Sequence, residues 1–271
     1  MPEWILSLAV LIAGLIGLML GTGLVYGTLA LSARTPWLAW IALLPALAVT
    51  LQAVSSGANV LGMGVIIGVH VLGILSAIST RAPVPSRSRA WSLIAAAMGI
   101  WGLALDGGLA RAEGALLVLL CLLYLTWTVR QTTKMSIERA GYIWARIACV
   151  CVGLILLTMG ARVLAMGALD LALVLDLDRW MLGLALVAPA CVLAGWMPRL
   201  IARQPAGGSS RIEPCVWFDF SLVNLLGLVG LTALTTPGGF PFTRETLLVS
   251  WPLVILTSIL AGVSLMRAEP A

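Results

Sequence analysis

The sequence predicts an all-α polytopic membrane protein of two inverted repeats of transmembrane helices, five followed by four, and three observations lead there. Hydrophobic residues make up 61% of the chain and charged residues 10%, with a mean hydropathy of +1.08, whereas a soluble domain carries roughly one quarter charged residues. Apolar runs of about 20 residues, long enough to cross about 30 Å of hydrocarbon, recur from end to end and leave no room for a soluble domain of useful size. Finally, two stretches of the first half are echoed, in order, in the second.

Nine spans follow, near 4–32, 36–56, 59–80, 90–105, 109–129, 141–168, 179–202, 214–235 and 247–266. The first competes with a signal peptide, but Met1-Pro2-Glu3 puts an acid where a basic leader region belongs and the apolar run continues to about Leu31, so it reads as a span. The expected organisation is a first repeat over 1–130, a basic cytoplasmic linker over 131–140 and a second repeat over 141–271. The stretch 203-RQPAGGSSRIEP-214 reads as a flexible inner loop.

Orientation follows from the basic residues, because positively charged short loops stay in the cytoplasm. With the N-terminus outside, Arg34, Arg81, Arg87, Arg89, Arg130, Lys134, Arg139, Arg146, Arg199, Arg203, Arg211 and Arg267 fall inside, and only Arg111, Arg179 and Arg244 fall outside. The acids Asp106, Glu113, Asp170, Asp176, Asp178 and Glu245 gather on the outer side. The expected placement is the inner cell membrane, N-terminus out and C-terminus in. The net charge of +5 then reflects contact with anionic lipids at the cytoplasmic face and gives no reason to invoke nucleic acid. Trp4, Trp37, Trp91, Trp127, Trp180 and Trp251 fall at span ends, as interfacial aromatics do. Cys121, Cys149, Cys151, Cys191 and Cys215 lack metal-type spacing and read as small apolar helix residues.

The internal echo carries more weight than any single residue. Residues 24-LVYGTLAL-31 match 164-LAMGALDL-171, and 69-VHVLGILSAI-78 matches 220-FSLVNLLGLV-229, at offsets of 140 and 151. The copies begin five spans apart, and an odd number of crossings inverts one copy relative to the other. That is the plan of secondary transporters with a site at the midplane.

The segment 104-ALDGGLARAEGALLVLLCLLYL-125 resembles the DG-x-L-x-R-x-EG hairpin between the fourth and fifth helices of the calcium/cation antiporter superfamily, the sodium/calcium exchanger fold. The segment 160-GARVLAMGALDLALVLDLDRWMLGLAL-186 resembles the opening of that family's second repeat. Likewise 64-GVIIGVHVLGIL-75 and 215-CVWFDFSLVNLLGLVGL-231 resemble the two copies of its GN-x-x-GSN element. The resemblance covers nearly the whole chain, with no tenth helix expected after Arg267. It implies two inverted repeats and an ion site built from a Pro-Glu pair in each repeat plus the Asn and Ser of the GN-x-x-GSN elements.

The ligands themselves are degenerate. The first glutamate position falls on Gln52, or on Ala46 if 45-PAL-47 is the anchor; the second falls on Gly195, or on Arg199 if 198-PRL-200 is the anchor. The GN-x-x-GSN positions become Gly64-Val65, Gly68-Val69-His70 and Gly73 in one copy and Cys215-Val216, Asp219-Phe220-Ser221 and Asn224 in the other. A hard divalent cation needs six to eight oxygens, some of them charged, so no Ca²⁺ site of the usual kind is expected.

The transport-site candidates are therefore Gln52, His70, Asp219, Ser221 and Asn224. His70, the chain's single histidine, reads either as an imidazole bonded to a backbone carbonyl of a neighbouring helix or as a proton carrier. Asp219 reads either as a hydrated carboxylate near the cytoplasmic interface or as a neighbour of His70 or Gln52. Gln52 and Asn224 also fit a role as polar ties between helices, and Arg162 reads as snorkelling to the outer surface. Gly62, Gly64, Gly68 and Gly73, and equally Gly21, Gly23 and Gly27, read as close-packing surfaces. No phosphate-cradling loop, paired metal ligands or Ser-His-Asp grouping occurs, so the sequence makes no case for an enzyme, a cofactor or a bound metal. Two functions remain: a transporter of protons or a monovalent cation, and a non-transporting accessory subunit of a larger membrane complex.

Overall fold

The computed structural model describes residues 2–29, 36–79, 87–132, 143–201, 214–244 and 246–266. The Arg-bearing stretches 133–142 and 202–213, which hold most of the expected linker and inner loop, lie outside the described residues. Nine helices run through the described chain: α1 (Glu3–Leu29), α2 (Pro36–Ser55), α3 (Asn59–Ser79), α4 (Arg87–Leu103), α5 (Arg111–Thr132), α6 (Ile143–Val174), α7 (179–201), α8 (214–235) and α9 (246–266). Seven of them are long and apolar enough to cross a membrane, with α2 contributing a shorter apolar stretch over Ile41–Ser55 and α4 spanning only 17 residues. The chain is a multi-pass all-helical membrane protein.

The helices pack into two compact units that each draw on both halves of the sequence: residues 1–65 with 127–210, and residues 66–126 with 211–271. In the first unit α1 lies antiparallel against α6 along a glycine seam. Gly153, Gly160 and Gly167 recur every seven residues on α6, a spacing that returns to one face of a helix crossing its neighbour at a small angle. A methyl group on Gly160 would lie 2.6 Å from the Leu18 nitrogen, one on Gly14 would lie 2.4 Å from the Leu164 nitrogen, and one on Gly21 would lie 2.6 Å from the Leu157 nitrogen. Between lipid-solvated helices, where burial of apolar surface gives no drive, such backbone approach is the main source of association. Gly23 and Gly27 face open space, which corrects their reading as packing positions. Elsewhere in this unit, Gly195 of α7 is so close to α2 that an added Cβ would lie 2.1 Å from the Ala42 carbonyl oxygen.

In the second unit the loop after α4 and the loop after α8 are joined by β1 (Gly108–Leu109) and β2 (Phe240–Pro241), an antiparallel pair. The hairpin motif of the sequence proves to be this clamp. Gly107 takes φ 104°, a left-handed turn that other residues rarely adopt, and its carbonyl accepts from the Phe242 amide at 3.0 Å. Arg111 Nε donates to the Thr236 carbonyl at 3.1 Å, and the Glu113 carboxylate accepts from the Ala110 amide at 2.8 Å, capping α5. Phe240, Phe242 and Trp251 stack edge to face with centroids 5.5 Å apart. Trp251, expected at the lipid interface, is instead fully buried, and its indole donates to the Ala97 carbonyl of α4 at 3.0 Å.

Three helices contain a π turn: Gly183–Val187 in α7, Asn224–Leu228 in α8 and Thr246–Ser250 in α9. Two have a steric origin. Pro189 and Pro252 follow their π turns, and a proline ring clashes with the carbonyl four residues earlier, here on Ala185 and Leu248 inside the widened turns. The turn at Asn224 has no such proline. Single π turns of this kind concentrate at functional sites.

Gly160→Leu is expected to destabilise the protein by about 3 kcal/mol or more, because the leucine meets backbone on α1. Gly23→Leu is expected to leave the unfolding midpoint in mixed detergent micelles nearly unchanged, and equal losses would exclude the seam.

Candidate functional site

The polar centre of the second unit is built on α3, α8 and α9. Fully buried His70 places Nε2 3.1 Å from the Ser258 hydroxyl oxygen, and that hydroxyl donates to the Val254 carbonyl at 2.7 Å. A hydroxyl has a single proton. When it is spent on Val254, the imidazole Nε2 is the donor and Nδ1 keeps its lone pair; when it turns to Nε2, the ring proton sits on Nδ1. The Val254 and Ser221 carbonyls lie beside the ring, and Nδ1 has no hydrogen-bond partner among the described residues.

Asn224 and Ser221 face α3 from α8. The Asn224 amide donates to the Ile66 carbonyl at 2.9 Å, one helical turn before His70, and Asn224 opens the unexplained π turn. A methyl group on Gly73 would lie 2.6 Å from Ser221 Oγ, so the missing side chain there makes room for the serine. Both Ser221 and Asn224 are fully buried, and Ser221 Oγ and Asn224 Oδ1 lack partners among the described residues. Nine in ten or more buried polar atoms are paired; these three lie on facing turns of α3 and α8, while Thr50 Oγ1, Asn59 Oδ1 and the indole nitrogens of Trp101 and Trp180 are likewise without a partner among the described residues. The three on α3 and α8 are uncharged. Among the described residues no three His, Cys, Asp or Glu side chains gather to hold a metal ion.

Asp219 occupies a different environment from either expectation. Buried on α8, it accepts a hydrogen bond from the Tyr124 hydroxyl of α5, and its second oxygen lies 3.5 Å from Arg89 Nη1 of α4. Among the described residues it makes no hydrogen bond to His70. The carboxylate is thus neutralised by a cation and a phenol, and it ties three helices together.

Gln52 lies in the first unit. It lines a cavity of about 430 Å³ together with Ser55, Ser56 and Arg162, and Arg162 is exposed. Ala46 is buried and apolar, and Gly195 is closed off by the Ala42 backbone. The Arg199 side chain lies outside the described residues.

Ser258, Tyr124 and Arg89 are the site residues that sequence reasoning missed. Ser258 pairs with a residue 188 positions away and Tyr124 with one 95 positions away, distances over which no local pattern gives a signal.

No protein-family profile and no curated protein sequence matches the chain. Solved structures do. The sodium-calcium exchanger NCX_Mj soaked with 100 mM Na⁺ and 10 mM Sr²⁺ is similar with a TM-score of 0.64 at 20% identity, over 97% of this chain and 92% of that one. The same exchanger soaked with 2.5 mM Na⁺ and 10 mM Sr²⁺ gives 0.63 at 19% identity over 97% and 91%, and with zero Na⁺ and Ca²⁺ it gives 0.61 at 20% over 97% and 92%. The chain therefore has the exchanger's all-helical polytopic fold, and these neighbours are transporters.

Breaking one half of the Arg89–Asp219 pair leaves a buried charge uncompensated, at a cost of about 3 to 5 kcal/mol. Arg89→Met is expected to lower unfolding free energy by that order, and Arg89→Met combined with Asp219→Asn by clearly less than the sum of the single changes. An additive double mutant would exclude the coupling.

Proposed function

We propose that the chain is a secondary transporter of exchanger architecture whose centre handles protons or a monovalent cation in place of Ca²⁺. The observation that carries this reading is the trio of buried, unpaired and uncharged atoms, His70 Nδ1, Ser221 Oγ and Asn224 Oδ1. Neutral acceptors suit a proton or a singly charged ion, whereas Ca²⁺ demands several charged oxygens. In Nδ1 the centre also offers a lone pair of a group that titrates near neutral pH when unperturbed.

Helix directions support the inverted plan of five and four helices, with a first repeat over 1–130, a linker over 131–140 and a second repeat over 141–271. The α1–α6 contacts pair Gly14 with Leu164, Gly17 with Gly160 and Gly21 with Leu157, and the α3–α8 contacts pair Ile66 with Asn224 and Gly73 with Ser221. In both, numbers rise on one helix as they fall on the other. Helices five apart in sequence run in opposite directions, as an odd number of crossings requires. The paired loops after α4 and α8 are separated by four helices, an even number, which agrees with alternating crossings. The charge asymmetry supports an N-terminus outside, a C-terminus in the cytoplasm and basic loops against anionic lipid of an inner membrane.

A second reading, a non-transporting accessory subunit, is favoured by one observation: the position of the second glutamate is filled by direct contact of α7 with the Ala42 carbonyl. Reconstituted protein separates the two. The transporter reading is expected to give a pH-dependent cation flux that His70→Ala lowers at least tenfold. Folded but inert protein that leaves mild detergent with stoichiometric partners, seen by native mass spectrometry, would establish the subunit instead.

A further inference from the structure

We propose that Arg162, Gln52 and the Ser55–Ser56 turn form a binding site for an oxyanion of the phosphate type within the first unit. Arg162 lies within two residues of the middle of the apolar stretch Ile147–Val174, and it is flanked by Gly160 and Leu164, which pack on Gly17 and Gly14 near the middle of α1. Arg162 is exposed rather than enclosed by protein, and ionisable groups of membrane spans face cavities and mark ligand pathways.

The cavity is present, about 430 Å³, lined by Gln52, Ser55, Ser56 and Arg162 with Met166 and Leu169 on its apolar side and with no acid in its walls. Neither the Arg162 guanidinium nor the Gln52 amide has a hydrogen bond or ion pair among the described residues. The exposed α2–α3 turn, where Gly57 takes φ 78°, borders the same cavity. The Ser55 and Ser56 hydroxyls both bond the Gln52 carbonyl, at 2.9 and 3.0 Å, which holds the turn beside the Gln52 side chain.

The wall is therefore rich in donors: five N–H groups on the arginine and two on the glutamine. A planar guanidinium recognises an oxyanion through two parallel hydrogen bonds, and a phosphate has oxygens to spare for the amide. A cation has nothing to bind there, since the only charge is positive. The phosphate belongs either to a lipid headgroup or to a free anion, and the chemistry of the wall is the same for both. The site stands apart from the polar centre of the second unit, so the loss of either assignment leaves the other untouched.

The test uses the full chain in dodecyl maltoside, with melting followed by intrinsic tryptophan fluorescence. One arm titrates inorganic phosphate against chloride at constant ionic strength; the other adds phosphatidylglycerol against phosphatidylcholine. A saturable rise in melting temperature is expected in at least one arm, with phosphate indicating the free anion and phosphatidylglycerol alone indicating the headgroup. Arg162→Gln is expected to weaken the response at least tenfold, Gln52→Leu several-fold, and Arg162→Lys by an intermediate amount. The proposal is overturned if no saturable response is seen in either arm, or if Arg162→Gln responds like the unaltered protein. If Arg162→Gln shows no melting transition, Arg162→Lys and Gln52→Leu decide, and unchanged responses in both overturn it.

Discussion

Hydrocarbon offers no hydrogen bonds, and that constraint organises the whole molecule. Polar groups inside the two units are satisfied by the chain itself or they mark a place where something else must satisfy them. Most take the first course. Thr22, Thr232 and Ser258 return their hydroxyls to carbonyls one turn earlier in the same helix. Trp251 reaches the Ala97 carbonyl, and Asp219 is enclosed by Tyr124 and Arg89. Among the described residues His70 Nδ1, Ser221 Oγ, Asn224 Oδ1 and Trp101 Nε1 lack partners in one unit, and Thr50 Oγ1, Asn59 Oδ1 and Trp180 Nε1 in the other.

The same constraint explains where the helices are irregular. Prolines 189 and 252 remove backbone donors and press on the carbonyls behind them, and π turns absorb the strain. Asn224 widens its helix without a proline and spends its amide on α3. Its placement links local backbone geometry to the polar centre, because the widened turn lies on the face that meets His70's helix. At Gly195 the reverse holds: α2 and α7 approach so closely that no side chain fits.

Much of the fold was legible because its signals are local. Apolar runs and charged breaks located all nine helices to within a few residues, save α6, which continues to Val174 beyond the expected end at 168; there Asp170 lies inside the helix, where a charge had suggested a loop. The hairpin 104-ALDGGLARAEG-114 was visible as a motif, but its role as a clamp depends on Thr236 and Phe240, far along the chain. The site was legible only in part. His70, Ser221 and Asn224 were found because polar residues in apolar helices are conspicuous. Their partners were not, since Ser258, Tyr124 and Arg89 look like ordinary helix or loop residues until α9, α5 and α4 pack beside them.

The single histidine allows the central claim to be measured directly. Solid-state ¹⁵N NMR of imidazole-labelled protein in lipid bilayers reports which ring nitrogen carries the proton. The account requires the proton on Nε2, held toward Ser258, and a bare Nδ1. A proton resident on Nδ1, bonded to a backbone carbonyl, would contradict it, for the polar centre would then have no open acceptor on the ring.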